Sequence, residues 1–161
     1  MLSPTAQDFD MHSTVHGLEH TQRVMHLVQH LGRVGKLNPK HILQAYCAAV
    51  IHDMARQHDG ACQMHGQWAV ERKLPIWQER FLAIGLPKQH LPAVAFAVHW
   101  HCMDFRIVPN SAFTPTLQLL QDADALDRVR FGGASAIELR FLHFPFTKNE
   151  IGYAEQLYFG W

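Results

Sequence analysis

Residues 42–53, ILQAYCAAVIHD, are almost wholly apolar and rich in alanine. The run is too long for an ordinary strand, so it predicts a buried central helix. His52 and Asp53 stand at the C-terminal end of this run. Burying such polar groups without a partner is costly, so their position predicts a functional role for this end of the helix.

Helical spacing continues on both sides of this central run. From Gly17 to about Gly35, apolar residues recur at steps of three and four, which predicts an amphipathic helix. Further helices, separated by glycine and proline, are predicted over 65–74, 75–84, 88–102, 115–130, 134–142 and 149–159. The sequence therefore predicts an all-α, single-domain bundle (1–161) of about six to eight helices. Its core covers about 16–133, and a C-terminal helical extension covers 134–161.

Composition excludes several classes of protein. The 161 residues are 48% hydrophobic and 17% charged, which argues against intrinsic disorder. Fourteen basic residues balance fourteen acidic ones, so no basic surface is expected for a nucleic acid polymer. No apolar run is long enough to span a membrane, and the N-terminus lacks a signal-peptide pattern. The cysteines are scattered without C-x-x-C spacing, so we expect reduced thiols packed as small core residues in a cytoplasmic protein: Cys47, Cys62 and Cys102.

Histidine is the unusual component, with 13 residues in the chain. Histidine is the commonest metal ligand and the usual acid or base near neutral pH. An adjacent His-Asp pair offers one nitrogen and one carboxylate, and the carboxylate can bridge two ions. A mixed nitrogen and oxygen metal site is therefore predicted, with candidate residues at four places: His16/His20, His52-Asp53, His99/His101 and Asp122/Asp124.

Three segments carry a resemblance to a known family. The segments HGLEHTQRV (16–24), AAVIHDMAR (48–56) and LQDADALDRVR (120–130) resemble, in order and context, the H…HD…D signature of the HD-domain superfamily. Members of that superfamily are all-α, metal-dependent phosphohydrolases. The resemblance implies four core metal ligands: His20, His52, Asp53 and Asp124.

Two further segments resemble the H…HD…H…H…D subset, whose members hold two metal ions. MHGQWAV (64–70) supplies His65, and AVHWHC (97–102) supplies His101, with His99 as the alternative. Residues two apart on a helix cannot face the same way, so only one of the latter pair is expected to be a ligand. The implied cofactor is a divalent metal, as two ions (Mn, Mg, Co, Ni, Zn or Fe).

The loop after the His-Asp pair carries a resemblance of its own. HDMARQHDGACQMHG (52–66) is similar to an HD-x-x-R…D…HG pattern found in a branch of small HD proteins. That similarity implies that Arg56, His58 and Asp59 lie near the mouth of the site.

Phosphate chemistry requires cationic side chains as well as metal ions. Three arginines each follow a predicted ligand by about one helical turn and are expected to hold substrate phosphate: Arg23 after His20, Arg56 after Asp53, and Arg128 after Asp124. By contrast, the sequence favours a purely structural role for Asp127, paired with Arg128 and Arg130.

The expected reaction uses water activated between two ions that are bridged by Asp53. Arg23 and Arg56 assist at the phosphate, and His16 or His58 supplies the leaving-group proton. We therefore expect a phosphohydrolase or phosphodiesterase that acts on a small phosphorylated substrate such as a nucleotide. The alternatives are a di-iron oxygenase, since some HD proteins use this ligand set for oxidation, and a non-catalytic nucleotide-sensing domain. The aromatic C-terminus, running to Trp161, is compatible with a homodimer contact.

Overall fold

A computed structural model describes residues 2–160, so Trp161 of the predicted dimer contact lies outside the described residues. The described chain contains no strand, and short 3₁₀ turns connect its α-helices. The helices are α1 (Leu18–Val34), α2 (Pro39–Ile51), α3 (His65–Arg72), α4 (Leu74–Ala83), α5 (Leu91–Trp100), α6 (Thr114–Leu126) and α7 (Ile151–Phe159). The predicted all-α bundle is confirmed. None of these helices is long and apolar enough to cross a membrane.

Helix α2 is the centre of the bundle, as its apolar sequence predicts. It begins three residues earlier than expected, because Pro39 suits a first turn and the Asn38 side chain accepts a hydrogen bond from the Lys40 backbone N–H (2.9 Å). Residues 44–51 are all buried, and α1, α5 and α6 pack around them. His52 and Asp53 follow directly at the C-terminal end.

One continuous hydrophobic core joins these helices. It includes Leu27 and Leu31 of α1, Leu119 and Leu120 of α6, and Phe81 of α4. Each such side chain stabilises the fold by about 1.5–3 kcal/mol when fully buried. The core therefore holds the helix ends in place, including those that carry charged residues.

The predicted helix over 134–142 is wrong. This segment consists of two 3₁₀ turns, Gly133–Ala136 and Leu139–Phe141. Gly132 and Gly133 have φ values of 148° and 72°, which a right-handed helix cannot continue. In the C-terminal extension, the α-helix is α7.

A buried carboxylate holds the segment that follows these turns. Asp122 accepts hydrogen bonds from the backbone N–H groups of His143 (2.7 Å) and Phe144 (3.0 Å), and from the Thr147 hydroxyl (2.6 Å). Asp122 is thereby committed to the C-terminal segment. Of the Asp122/Asp124 pair, Asp124 is the residue that remains as a candidate metal ligand.

Candidate metal centre

Helix ends meet at one place in the bundle and bring the predicted ligands together. Five of the six are buried, whereas the side chain of Asp124 is 35% exposed. They lie in the first turn of α1 (His20), just after α2 (His52 and Asp53), at the start of α3 (His65), just after α5 (His101) and in the last turn of α6 (Asp124). Chain segments far apart in sequence therefore form a single cluster.

Asp53 lies at the middle of this cluster and faces different histidines with its two oxygens. Its Oδ2 lies 3.4 Å from His20 Nε2 and 3.7 Å from His52 Nε2. Its Oδ1 lies 3.1 Å from His65 Nε2 and 3.8 Å from His101 Nε2. The carboxylate is thus placed to bridge two positions.

We name these positions by their residues. The first group is His20, His52 and Asp124 with Oδ2 of Asp53, and Asp124 Oδ1 lies 3.3 Å from His20 Nε2. The second group is His65 and His101 with Oδ1 of Asp53. The structure brings His101 to the cluster, whereas the half-buried ring of His99 packs against Trp100 with centroids 4.7 Å apart.

Three of the histidines are oriented by the same local device. The Nδ1 atoms of His52, His65 and His101 each donate to the backbone carbonyl three residues earlier, at 2.8, 2.8 and 2.6 Å. A carbonyl can only accept, so Nδ1 carries the hydrogen in each ring. The lone pair of Nε2 therefore faces the cluster in all three.

His20 is oriented by a carboxylate that the sequence interpretation did not assign to the site. Its Nδ1 donates to Asp127 Oδ2 at 2.7 Å, and Asp127 is only 1% exposed. Arg130 also pairs with Asp127, as expected, but Arg23 replaces the expected Arg128. A carboxylate behind a ligating histidine raises its basicity and fixes its ring. The sequence signal was the spacing in DADALD, which places Asp127 one turn after Asp124.

The donor set fits divalent metal ions. His20 Nε2 lies 3.2 Å from His52 Nε2, and His65 Nε2 lies 2.9 Å from His101 Nε2. Two facing lone pairs, as at His65 and His101, repel at this distance unless a positive charge lies near them, and imidazole with carboxylate suits transition metals. Three sets of described residues have donor atoms within 4.8 Å of one another: His20/His52/Asp124, His52/Asp53/His101 and His65/His101/Cys102.

The pKa values of the metal-free protein also indicate that a positive charge is stabilised among the carboxylates of the cluster. Burial alone would lower the pKa of His20, but hydrogen bonds to Asp124, Asp127 and Asp53 raise it to about 10. Burial lowers the pKa of His52 to about 4. Burial would raise the pKa of Asp53, but the surrounding histidines hold it well below its usual range. A proton on His20 therefore supplies, without metal, the charge that an ion would supply.

We expect metal binding to the first group to release a proton. Because its pKa is raised from 6.5 to about 10, His20 keeps its Nε2 proton near neutral pH, and an ion must displace it. At about pH 8, mixing metal-free protein with Mn²⁺ should release about one proton per protein chain as the first group fills, measured with a pH indicator in weak buffer. A variant at the exposed His26, His26→Asn, should behave as wild type. Metal uptake without proton release would contradict this assignment.

The surroundings of Arg23 argue against its predicted role in substrate binding. Arg23 is 3% exposed, and its Nε and Nη2 donate to Asp127 Oδ1 and Oδ2 at 2.6 and 3.1 Å. The Tyr158 ring covers the guanidinium at 5.1 Å. Its donors are therefore committed to the carboxylate that holds His20, and a substrate phosphate cannot reach them.

Arg56 lies where the sequence predicts, beside the bridging carboxylate. Its Nε donates to Asp53 Oδ1 at 2.8 Å, and its Nη1 donates to the Gly60 carbonyl at 3.2 Å. Arg56 thus ties the loop after α2 to the cluster. Its use as a phosphate ligand stays a prediction.

Of the two predicted proton donors, the structure brings His16 to the cluster. The His16 ring lies edge-on to His20, with centroids 5.9 Å apart, and its Nδ1 lies 3.0 Å from Asp59 Oδ1. Asp59 also accepts from the Ser13 hydroxyl at 2.5 Å. His58 is exposed on the loop, and within the described chain no hydrogen bond joins its side chain to the cluster. The predicted catalytic role of His58 therefore lacks support in the geometry.

A cavity of about 440 Å³ opens beside the cluster. Its lining includes His101 and Asp124, together with the exposed Arg128. The Nε of Arg128 donates to the Ala136 carbonyl at 3.2 Å. Arg128 therefore lies at the cavity, with a cationic group within reach of an incoming anion. Its use as a phosphate ligand stays a prediction.

Gly66 permits the close approach of α3 and α5 that forms the second group. A methyl group at Gly66 would collide with the carbonyl oxygen of Val98, would meet that of His99 at 2.7 Å and would meet Cys102 Sγ at 3.2 Å. Backbone atoms at the end of α5 cannot move without moving His101. Glycine is therefore required here by the space between the two helices.

Gly66→Ala should weaken metal binding at the second group and lower the thermal stability. The added methyl separates α3 from α5, and overpacking of this kind costs about 1–3 kcal/mol. Thermal unfolding and metal titration measure the two effects. Gly152→Ala is the matched control, because Gly152 is exposed on α7 and an added methyl meets nothing within 4 Å. Equal unfolding temperatures and metal affinities for both variants would contradict this reasoning.

Comparisons with known proteins identify no relative of this chain. No protein-family model, curated protein or solved structure significantly matches the chain. The candidate metal centre therefore rests on the contacts described above.

Proposed function

We propose that this protein is a metal-dependent phosphohydrolase or phosphodiesterase of the HD superfamily, and that it cleaves a small phosphate ester such as a nucleotide. The observation that carries the proposal is the division of Asp53 between two sets of histidines. The first group would hold one ion and the second group the other. Bound divalent ions acidify water and neutralise charge on phosphoryl oxygens.

The residues around the two groups keep the ligands in position. Asp127 holds the ring of His20 through Nδ1, and Arg56 holds Oδ1 of Asp53. Because these partners are themselves fixed by further hydrogen bonds, the donor atoms need little rearrangement when ions bind. Such preorganisation supports a catalytic centre.

Substrate recognition is assigned to the cavity beside the cluster. Its volume of about 440 Å³ suits a small molecule, and Arg128 offers a guanidinium to a phosphate there. The equal numbers of basic and acidic residues supply no extended cationic surface. These features support a small substrate rather than a polymer.

His16 is the residue that we assign to proton transfer. Asp59 engages its Nδ1, so Nε2 is the nitrogen left to exchange a proton with the leaving-group oxygen. The same carboxylate is held by Ser13, which limits rotation of the pair. Asp59 therefore acts as a positioning residue for His16.

Metal content and product release test the proposal. The purified protein is stripped of metal, reconstituted separately with Mn, Mg, Co, Ni, Zn and Fe, and assayed for phosphate release. The substrates are phosphomonoesters, nucleotides and cyclic nucleotides. We expect metal-dependent release from at least one of them. Iron with oxygen uptake and no phosphate release would instead indicate an oxygenase, and tight nucleotide binding without turnover would indicate a sensor.

A further inference from the structure

We infer that Cys102 is an additional ligand of the second group and makes that group selective for a soft ion such as Zn²⁺. The inference rests on the proposal that the cluster binds metal ions, but not on hydrolysis. It departs from the expectation that the cysteines are small core residues. Cys47 fits that expectation, being fully buried, whereas Cys102 is half-buried and lines the cavity of about 440 Å³.

The position of Cys102 follows from the end of α5. It comes directly after His101, and its Sγ, a nitrogen of His65 and a nitrogen of His101 all lie within 4.8 Å of one another. The thiol contacts the Gln63 carbonyl at 3.5 Å and the His99 carbonyl at 4.0 Å, and a thiol is only a weak hydrogen-bond donor. The sulfur is thus weakly held where it stands and is close to two nitrogen donors.

The two histidines point independently to a ligand at this place. His65 and His101 are 1% and 8% exposed, and each donates from Nδ1 to a backbone carbonyl. Their Nε2 atoms, 2.9 Å apart, therefore both present lone pairs to the same point. A cation between them removes the repulsion, and Cys102 lies within reach of that cation.

The distances suit a tetrahedral ion. Donor atoms on a zinc ion lie about 3.3–3.6 Å apart, given Zn–N near 2.0–2.1 Å and Zn–S near 2.3 Å. His65 Nε2 already lies 3.1 Å from Asp53 Oδ1 and 2.9 Å from His101 Nε2. The sulfur lies within 4.8 Å of one ring nitrogen of each histidine, so a rotation of the Cys102 side chain towards the two Nε2 atoms would complete the set.

A fourth ligand of this kind makes the two groups chemically different. Asp53 Oδ1, two imidazoles and a thiolate form a tetrahedral set, which favours zinc. The first group has two imidazoles and two carboxylates, and these harder ligands suit manganese or magnesium as well. The cluster would then bind two unlike metals, with zinc held in the second group.

Cobalt absorption tests the inference on the full chain. Co²⁺ alone is titrated into metal-free protein, because thiolate-to-cobalt charge transfer absorbs in the near ultraviolet whereas nitrogen and oxygen ligands give only the weaker visible bands. We expect both features in wild type. Cys102→Ser should lose the charge-transfer band and keep the visible bands, and Cys62→Ser, a matched control on the neighbouring loop, should keep both. Cys102→Ala is measured alongside, with circular dichroism of each variant.

Zinc affinity provides a second readout. In competition with a chromogenic chelator, Cys102→Ser should weaken the tightest Zn²⁺ site by at least about tenfold, since even indirect partners of metal ligands contribute that much. A wild-type spectrum without a charge-transfer band, or one that Cys102→Ser leaves unchanged, overturns the inference alone. A protein that shows neither cobalt absorption nor zinc binding overturns it together with the proposed function.

Discussion

Asp53→Asn should abolish metal-dependent phosphate release and remove metal from both groups. Asparagine keeps the shape of the side chain but loses its charge. It also replaces one carboxylate oxygen by an amide nitrogen, which donates and cannot ligate. Because Oδ1 and Oδ2 face different groups, either orientation of the amide damages one group and loss of charge weakens both. We expect kcat to fall by at least about 10³-fold.

Elemental analysis after dialysis and a phosphate-release assay measure these effects. Asp122→Asn is the control, because Asp122 is a buried aspartate whose hydrogen bonds go to the C-terminal segment instead. That variant should keep its metal and lose stability. A variant Asp53→Asn that retained two equivalents of metal would refute the bridging role.

Arg23→Met should destabilise the protein, with little direct effect on substrate binding. Arg23 and Asp127 form a buried pair, and removing one partner of such a pair leaves a charge without compensation. His20 and Arg130 still contact Asp127, so we expect the lower end of the usual range, a loss of about 3 kcal/mol in the free energy of unfolding. Urea denaturation of the metal-free protein measures this loss.

Arg128→Met is the matched comparison, because Arg128 is exposed at the cavity. Its free energy of unfolding should stay within about 0.5 kcal/mol of wild type, while KM for the phosphate substrate should rise. The opposite pattern, a stable Arg23→Met protein with raised KM, would restore the substrate role that the sequence suggested for Arg23.

Much of the bundle could be predicted because its signals are local. The apolar run that forms α2 specifies a buried helix through its composition alone, and the glycine and proline positions mark most helix ends. The prediction of a helix over 134–142 failed because two consecutive glycines with positive φ interrupt the chain at its start, and the apolar spacing does not reveal this. The chain just after this segment is held by hydrogen bonds to Asp122 of α6.

The candidate site was also predictable only in part. The order of the motifs was sufficient to select the residues that meet in the cluster: His20, His52, Asp53, His65, His101 and Asp124. Their role as metal ligands stays a prediction. The partners of those ligands were not predictable. Arg23 follows His20 by one helical turn, which is the spacing expected of a phosphate ligand. The carboxylate with which it forms an ion pair, that of Asp127, lies 104 positions away in the chain.

Sequence alone specified the helices of the core and the residue types at their ends, because hydrophobic periodicity and helix-breaking residues act over a few neighbouring positions. Only the packing of those helices determined how the ends are used. His20 meets Asp127 across 107 positions, and His65 meets His101 because Gly66 lets two helices approach. Hydrogen bonds and ion pairs depend on distances of about 3 Å, which sequence spacing does not specify between separate elements. The tertiary structure therefore decided which charged groups meet in the candidate metal centre, which groups orient its histidines and which line the cavity beside it.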